Sequence, residues 1–355
     1  MKTLWSKLAQ DLEPYTPGEQ PKSGIAIKLN TNENPYGPSP RVQRVLSTFD
    51  TAQLKKYPDP EATALRSALA QTYGVELDEV FVGNGSDEVL AHAFQAFFDH
   101  ERPILLPDVS YSFYQVLCDL YRIPYQTVPL DAGFGIDLAR YPLSSGGIVL
   151  ANPNAPTGLA LTLAALRDLA VARPDQVIIV DEAYVDFGAQ SAVALIATCP
   201  NILVVQTFSK SRSLAGARVG FAIGQRGLIG ALRCVKNSFN PYPLGIIEQS
   251  MATAELEDPA HFETTRRTIM RDRDWLRDEL TRAGFQVLPS FTNFLFVSCP
   301  GLSGEFLAGA LRERGTLVRY WNQPRISEFV RISIGTTAEC NAVAQQLNEI
   351  IQTAR

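Results

Sequence analysis

Residues 176–186 read QVIIVDEAYVD and residues 201–220 read NILVVQTFSKSRSLAGARVG. In each, an apolar run (Val177–Val180, then Ile202–Val205) ends on polar residues: Asp181 in the first, and Thr207, Ser209 and Lys210 in the second. A short continuous apolar run, as opposed to an alternating one, is what a strand buried on both faces requires, as in a parallel sheet covered by helices. Outward in both directions the texture repeats. VFV at 80, PILL at 103, GGIVLA at 146 and VGFAIG at 219 are bounded by Gly, Pro or Asn and separated by helix-length segments. The pattern predicts an α/β fold whose large domain holds a mostly parallel sheet flanked by helices.

After about residue 245 the pattern changes. A long charged helical stretch, HFETTRRTIMRDRDWLRDELTRAG (261–284), precedes the strand-like FTNFLFVS (291–298) and VRISIG (330–335). This predicts a smaller α+β domain over 246–355 beside a large domain over 41–245. Residues 1–40, rich in Pro, Gly and Asn (KLNTNENPYGPSP at 28–40), read as an extended arm and loop that pack with the small domain.

With 355 residues, 46% of them hydrophobic, the chain suffices for two cores. A net charge of −5 and the lack of any Lys/Arg run argue against nucleic acid as a partner. No window approaches the ~18 apolar residues of a membrane span, and the polar N-terminus is unlike a signal core, so a cytoplasmic, membrane-free protein is expected. The five cysteines (Cys118, Cys199, Cys234, Cys299, Cys340) form no CxxC pair and read as buried free thiols. The three histidines, His92, His100 and His261, have neither metal-ligand spacing nor a neighbouring nucleophile, so no metal and no histidine catalysis is expected.

Three features fall where the predicted strands end, the edge at which open α/β sheets bind ligands. In VFVGNGSDEVLAHAF (80–94), a strand runs into Gly83-Asn84-Gly85-Ser86-Asp87 and then a helix. Such a turn aims backbone N–H groups and the helix dipole at a phosphate, although Ser86 or Asp87 would serve equally as a plain N-cap. In the second feature, Asp181 at a strand end, with Tyr184 three residues on, is suited to keep a pyridine nitrogen protonated or merely to cap a helix. In the third, Lys210 stands between Ser209 and Ser211 with Arg218 eight positions later, a candidate imine-forming lysine or a surface one. In this order they supply what a pyridoxal-phosphate site needs from a protein.

The series GNGSDE, NPNAPTG, DEAY and SKSRSLAGARVG resembles the fold-type I aminotransferases of the histidinol-phosphate aminotransferase family. Matches at PYTPGEQ (14), KLNTNENPYGPSP (28), KYPDP (56), SYSFY (110), TNFLFV (292) and VRISIG (330) extend the resemblance over nearly the whole chain. It implies pyridoxal 5'-phosphate as cofactor, with Lys210 bound to it as a Schiff base, Asp181 on the pyridine nitrogen, Tyr184 at the ring hydroxyl and Tyr111 stacked on the ring. Gly85, Ser86, Asp87, Ser209 and Arg218 would surround the phosphate. Asn154 would reach the ring hydroxyl, although Ala155 stands where many relatives carry Asn. Tyr57 is similar to a tyrosine that crosses to the partner subunit's phosphate, which implies a homodimer with composite sites. Tyr15, Asn34, Arg319 and Arg331 would bind substrate, with Arg325 as an alternative pocket arginine.

The implied reaction is L-histidinol phosphate plus 2-oxoglutarate to imidazole acetol phosphate and L-glutamate, a step of histidine biosynthesis. Two readings share the cofactor residues. An aromatic amino-acid aminotransferase would use an aromatic pocket of Tyr111, Tyr242 and Trp321, and a decarboxylase of a phosphorylated amino acid would use the same arginines. A cofactor-sensing regulator would need a DNA-binding module ahead of the large domain, for which about forty residues are too few.

Overall fold

A computed structural model describes residues 4–21, 23–98 and 101–354. Its strands, in chain order, are β1 (Ile27–Leu29), β2 (Val80–Gly83), β3 (Ile104–Pro107), β4 (Tyr125–Val128), β5 (Gly147–Ala151), β6 (Ile178–Asp181), β7 (Ile202–Thr207), β8 (Gly220–Gly224), β9 (Gln286–Val287), β10 (Phe294–Ser298), β11 (Thr316–Tyr320) and β12 (Phe329–Ser333). They form a seven-stranded sheet, β2-β8-β7-β6-β5-β3-β4, and a five-stranded sheet, β1-β11-β12-β10-β9.

In the larger sheet only β8 runs against its neighbours, pairing antiparallel with both β2 and β7. Alternate residues of each apolar run enter different cores. Ile148, Ile178 and Ile202 join one cluster, while Val149, Ile179 and Leu203 join the other. Burial on both faces is why these strands read as unbroken apolar runs. β4 gave no such signal because three of its four residues, Tyr125 to Thr127, are exposed at the sheet edge.

The smaller sheet has its own core, in which Leu295, Val297, Val330 and Ile332 pack against Ile269, Leu276 and Leu280 of the helix Pro259–Arg282. That helix starts where Asp258 accepts from the His261 N–H and Pro259 takes the first position. The arm adds β1 parallel to β11, with Leu29 in this core. One boundary differs from the sequence expectation. Helix Ile246–Leu256 places Ala252, Ala254 and Leu256 in a core of the large sheet, so we propose that the units divide near Asp258 and not at 245. Among the described residues no helix is long and apolar enough to cross a membrane.

Candidate active site

β5, β6 and β7 end at the same edge, and β8, running the other way, starts there. Over that edge lies a cavity of about 510 Å³, closed from above by the arm, by Arg319 and Arg331, and by residues 321–326. At one end of it β2 leads through Gly83 and Asn84 into the helix Gly85–Phe97. The Asn84 N–H donates to Glu88 Oε2 at 2.6 Å, so the turn is pinned by a first-turn carboxylate. Gly220 opens β8 directly beside this turn. A Cβ there would lie 2.3 Å from Ser86 N, and one on Gly85 (φ +80°) would lie 2.5 Å from Arg218 Nη2. Arg218 Nη1 donates to Ser209 Oγ at 3.3 Å, and its Nη2 to Asp87 Oδ2 at 3.3 Å. A helix N-terminus, a guanidinium and the hydroxyls of Ser86, Thr207 and Ser209 thus converge where side-chain carbon is excluded, which suits a phosphate. Asp87 is ill suited to touch that phosphate through its carboxylate; it holds Arg218 and accepts from Tyr111 Oη at 3.1 Å.

On the floor, Asp181 is 5% exposed. It accepts from Tyr114 Oη at 2.7 Å and from the Ala183 N–H at 3.2 Å. Burial pushes its pKa up to about 6 against the pull of those donors. A buried carboxylate short of positive charge is a fitting partner for a ring N–H⁺. Lys210 Nζ lies 5.8 Å from the centroid of the Tyr184 ring and donates to Thr31 O at 3.0 Å. Burial and Asp87 push the Tyr111 hydroxyl pKa well up, so Tyr111 stays a donor to that carboxylate. Its ring meets those of Tyr15 and Phe113 at 5.8 Å centroid separations.

At the opposite end Arg319 and Arg331 are paired across β11 and β12. Arg331 Nη2 donates to Asn30 O at 3.0 Å, while its buried Nε has no hydrogen-bond partner among the described residues. Arg319 reaches Thr16 O and Pro17 O at 3.3 and 3.5 Å. The Trp321 ring lies 5.2 Å from the Arg319 guanidinium and 5.1 Å from that of Arg331. Burial and Arg319 both lower the pKa of Arg331. Tyr15 lines the same end.

Lys210, Asp181, Tyr184, Tyr111, Ser86, Asp87, Ser209, Arg218, Tyr15, Arg319 and Arg331 all line one cavity. Three sequence expectations, those for Asn154, Asn34 and Tyr242, need correction. The Asn154 amide accepts from Ser110 Oγ and donates to Val109 O and Thr157 Oγ1, which leaves it stapling its loop, while Ala155 faces the cavity. Asn34 donates to Lys210 O and Ser211 O and accepts from the Tyr36 N–H, so it orders the lysine loop and does not line the cavity. Arg325 lines the cavity as well, where it is held by Asp108 at 2.8 Å and by Leu130 O and Asp131 O and so ties the 321–326 segment to the large sheet at the rim. Tyr242 stacks on Tyr57 at 4.7 Å, away from its own chain's cavity. Tyr57 itself is 82% exposed.

Of the residues passed over, Tyr114 follows Tyr111 by one helical turn, a spacing that SYSFY displays, and Asn32 stands in TNENP beside the residues that were singled out. His92 is buried and His261 Nε2 lies 3.0 Å from Gly37 O, whereas His100 lies outside the described residues. Cys234 is exposed; the other four cysteines are buried.

Residues 25–347 match the family model of aminotransferase class I and II. The chain is 53% identical over 351 residues to histidinol-phosphate aminotransferase 2 of Rhizobium meliloti, covering 99% of this chain and all of that protein. It is 52% identical over 351 residues to histidinol-phosphate aminotransferase 1 of Methylococcus capsulatus, covering 99% and 98% of the two chains. In fold it is similar to the crystal structure of histidinol-phosphate aminotransferase from Sinorhizobium meliloti in complex with pyridoxal-5'-phosphate (TM-score 0.88, 24% identity, 99% of both chains). It is similar, too, to L-threonine-O-3-phosphate decarboxylase from Porphyromonas gingivalis (TM-score 0.80, 23% identity, 92% and 99% covered).

Proposed function

The chain belongs to the class I and II aminotransferases, and from that premise we propose that it carries the amino group of L-histidinol phosphate to 2-oxoglutarate, with pyridoxal 5'-phosphate as cofactor. The products are imidazole acetol phosphate and L-glutamate. The observation that carries the substrate is the pair of facing arginines, which among the described residues have no carboxylate at ion-pair distance and have a cavity in front of them.

Pyridoxal phosphate, when bound, supplies an electron sink for the pair left when the α-C–H bond breaks. Around it we assign Gly85, Ser86, Asp87 (through its N–H), Ser209 and Arg218 to the phosphate, Asp181 to the ring nitrogen, and Tyr184 to the ring hydroxyl. Asp181 keeps the ring nitrogen's proton, and Tyr114 keeps Asp181 oriented by the 2.7 Å hydrogen bond. Lys210 would hold the cofactor through Nζ and, as a free amine, would take the substrate's α-proton on Nζ and return it to the carbon on the far side of the substrate nitrogen. Arg319 and Arg331 grip the substrate phosphate with Tyr15 beside them, fixing the α-carbon over Lys210.

We assign Tyr57 to the partner's site. With Tyr242, on which it stacks, it presents an exposed aromatic pair on the outside of this chain, as a homodimer with shared sites would need. The aromatic aminotransferase reading draws on the Tyr15, Tyr111 and Phe113 cluster. Specificity constants for L-histidinol phosphate, phenylalanine and tyrosine separate the two readings, and assay for carbon dioxide separates the decarboxylase.

A further inference from the structure

The direction of the Tyr184 hydroxyl proton is set by a neighbouring amide at the cavity wall, that of Asn32. Residues 30–34 leave β1 and pass the polar groups of the site in turn. Asn30 O accepts from Arg331, Thr31 O from Lys210, and Asn32 Nδ2 donates to Tyr184 Oη at 3.0 Å. Asn32 is 1% exposed, left-handed at φ +57°, and clamped by the small sheet: its N–H donates to Ser333 Oγ at 2.9 Å, and its carbonyl accepts from Asn293 Nδ2 at 3.0 Å.

A backbone N–H can only donate, so the Ser333 hydroxyl accepts there; its own proton goes to Asn32 Oδ1, 2.8 Å away. With its oxygen held by Ser333, the Asn32 amide presents Nδ2 to Tyr184. An amide N–H likewise only donates, so Tyr184 Oη accepts and its proton turns toward the cavity it lines. The charged and titratable groups around Tyr184 are Lys210, Arg331, Tyr15, Tyr111 and Tyr114. Among the described residues Asn32 is the group that hydrogen-bonds to its hydroxyl.

We propose that Asn32, backed by Ser333, is a positioning residue that keeps Tyr184 a donor to the ring oxygen of the cofactor and thereby sets the proton affinity of the lysine-bound cofactor. The inference rests on the aminotransferase reading. An oxygen deprived of its donor is more basic and holds a shared proton more tightly, so loss of this orientation raises the pH at which the bound cofactor gives up its proton. Asn32→Asp offers Tyr184 an acceptor instead of a donor and draws the phenol proton out of the cavity.

The test is a spectroscopic pH titration of holoenzyme, reading the midpoint of the visible absorption change. It compares wild type, Tyr184→Phe, Asn32→Asp, Ser333→Ala and the doubles that carry Tyr184→Phe. Tyr184→Phe and Asn32→Asp are each expected to raise the midpoint by about one unit, a tenfold rise in proton affinity, and Ser333→Ala by less. In the Tyr184→Phe background most of the Asn32→Asp shift and all of the Ser333→Ala shift should vanish, because both act through the phenol proton. Shifts that simply add would overturn the inference, as they would reflect the charge of the new carboxylate alone. So would Asn32→Asp or Ser333→Ala leaving the midpoint at the wild-type value while Tyr184→Phe moves it. Should Asn32→Asp not fold, the Ser333→Ala pair decides alone. Failure of the aminotransferase reading shows differently: pyridoxal phosphate would then give no visible band that Lys210→Ala abolishes.

Discussion

Arg319 and Arg331 stand opposite each other on adjacent antiparallel strands, and among the described residues neither has a carboxylate within ion-pair distance. Like charges facing across a sheet are destabilising, and Arg331 is half-buried as well. A dianionic substrate group supplies what the fold leaves out. Arg331→Ala is expected to lower kcat/KM for L-histidinol phosphate by about 2–4 kcal/mol and to affect unphosphorylated L-histidinol far less. Equal losses on both donors, measured in parallel, would remove the phosphate from this end of the cavity.

Asp181 has opposite effects on stability and on function. Its carboxyl titrates near 3.8 when unfolded and about 6 in the ligand-free fold. Between those values the folded chain holds a proton that the unfolded chain has released, so this group's contribution is full below 3.8 and lost as pH rises through 6. The ligand-free Asp181→Asn protein should therefore be more stable than wild type at pH 8, by about 1–3 kcal/mol, and no more stable at pH 3.5. Turnover should fall by on the order of 4 kcal/mol or more. Denaturant titrations at the two pH values check the first expectation, and steady-state rates the second.

Tyr114 acts through Asp181. Tyr114→Phe removes the 2.7 Å donor without disturbing the packed ring, so the Asp181 carboxyl should rise further above 6. As pH is lowered, cofactor affinity, followed by fluorescence, should then begin to fall at a higher pH than in wild type, where the same argument expects the fall near 6. An unchanged profile would mean that Asp181 does not hold the ring nitrogen.

Gly220 leaves room for the phosphate turn. In Gly220→Ala the new Cβ would press on the backbone of Gly85 and Ser86 at 2.3 Å, displacing the helix N-terminus. Cofactor affinity should fall more than tenfold, about 1.4 kcal/mol, with a lower Tm. Gly227→Ala, where nothing lies within 4 Å, serves as the control and should bind normally.

The large sheet and its ligand edge were legible because strands buried on both faces write unbroken apolar runs that end where chemistry begins, as Val177–Val180 does before Asp181. The edge strand β4 and the arm strand β1 lack that signature, since little of either is buried. Lys210, Asp181 and Arg218 stood out as charged residues at strand ends. Asn154 and Asn34 were misjudged because an amide in a loop serves the backbone as readily as a ligand, and the choice depends on carbonyls such as Val109 O and Ser211 O that no motif displays. Tyr114 and Asn32 act through Asp181 and Tyr184, a relationship that exists only once the chain is folded.

The most direct measurement of the account is the specificity constant of the wild-type enzyme for L-histidinol phosphate against those for L-phenylalanine and L-tyrosine, with 2-oxoglutarate as acceptor. Two arginines engaged by a phosphate predict a preference of about 100-fold or more, near 3 kcal/mol, for the phosphorylated donor. A specificity constant for phenylalanine or tyrosine equal to or above that for L-histidinol phosphate would contradict it, and would reassign the arginine pair to a carboxylate.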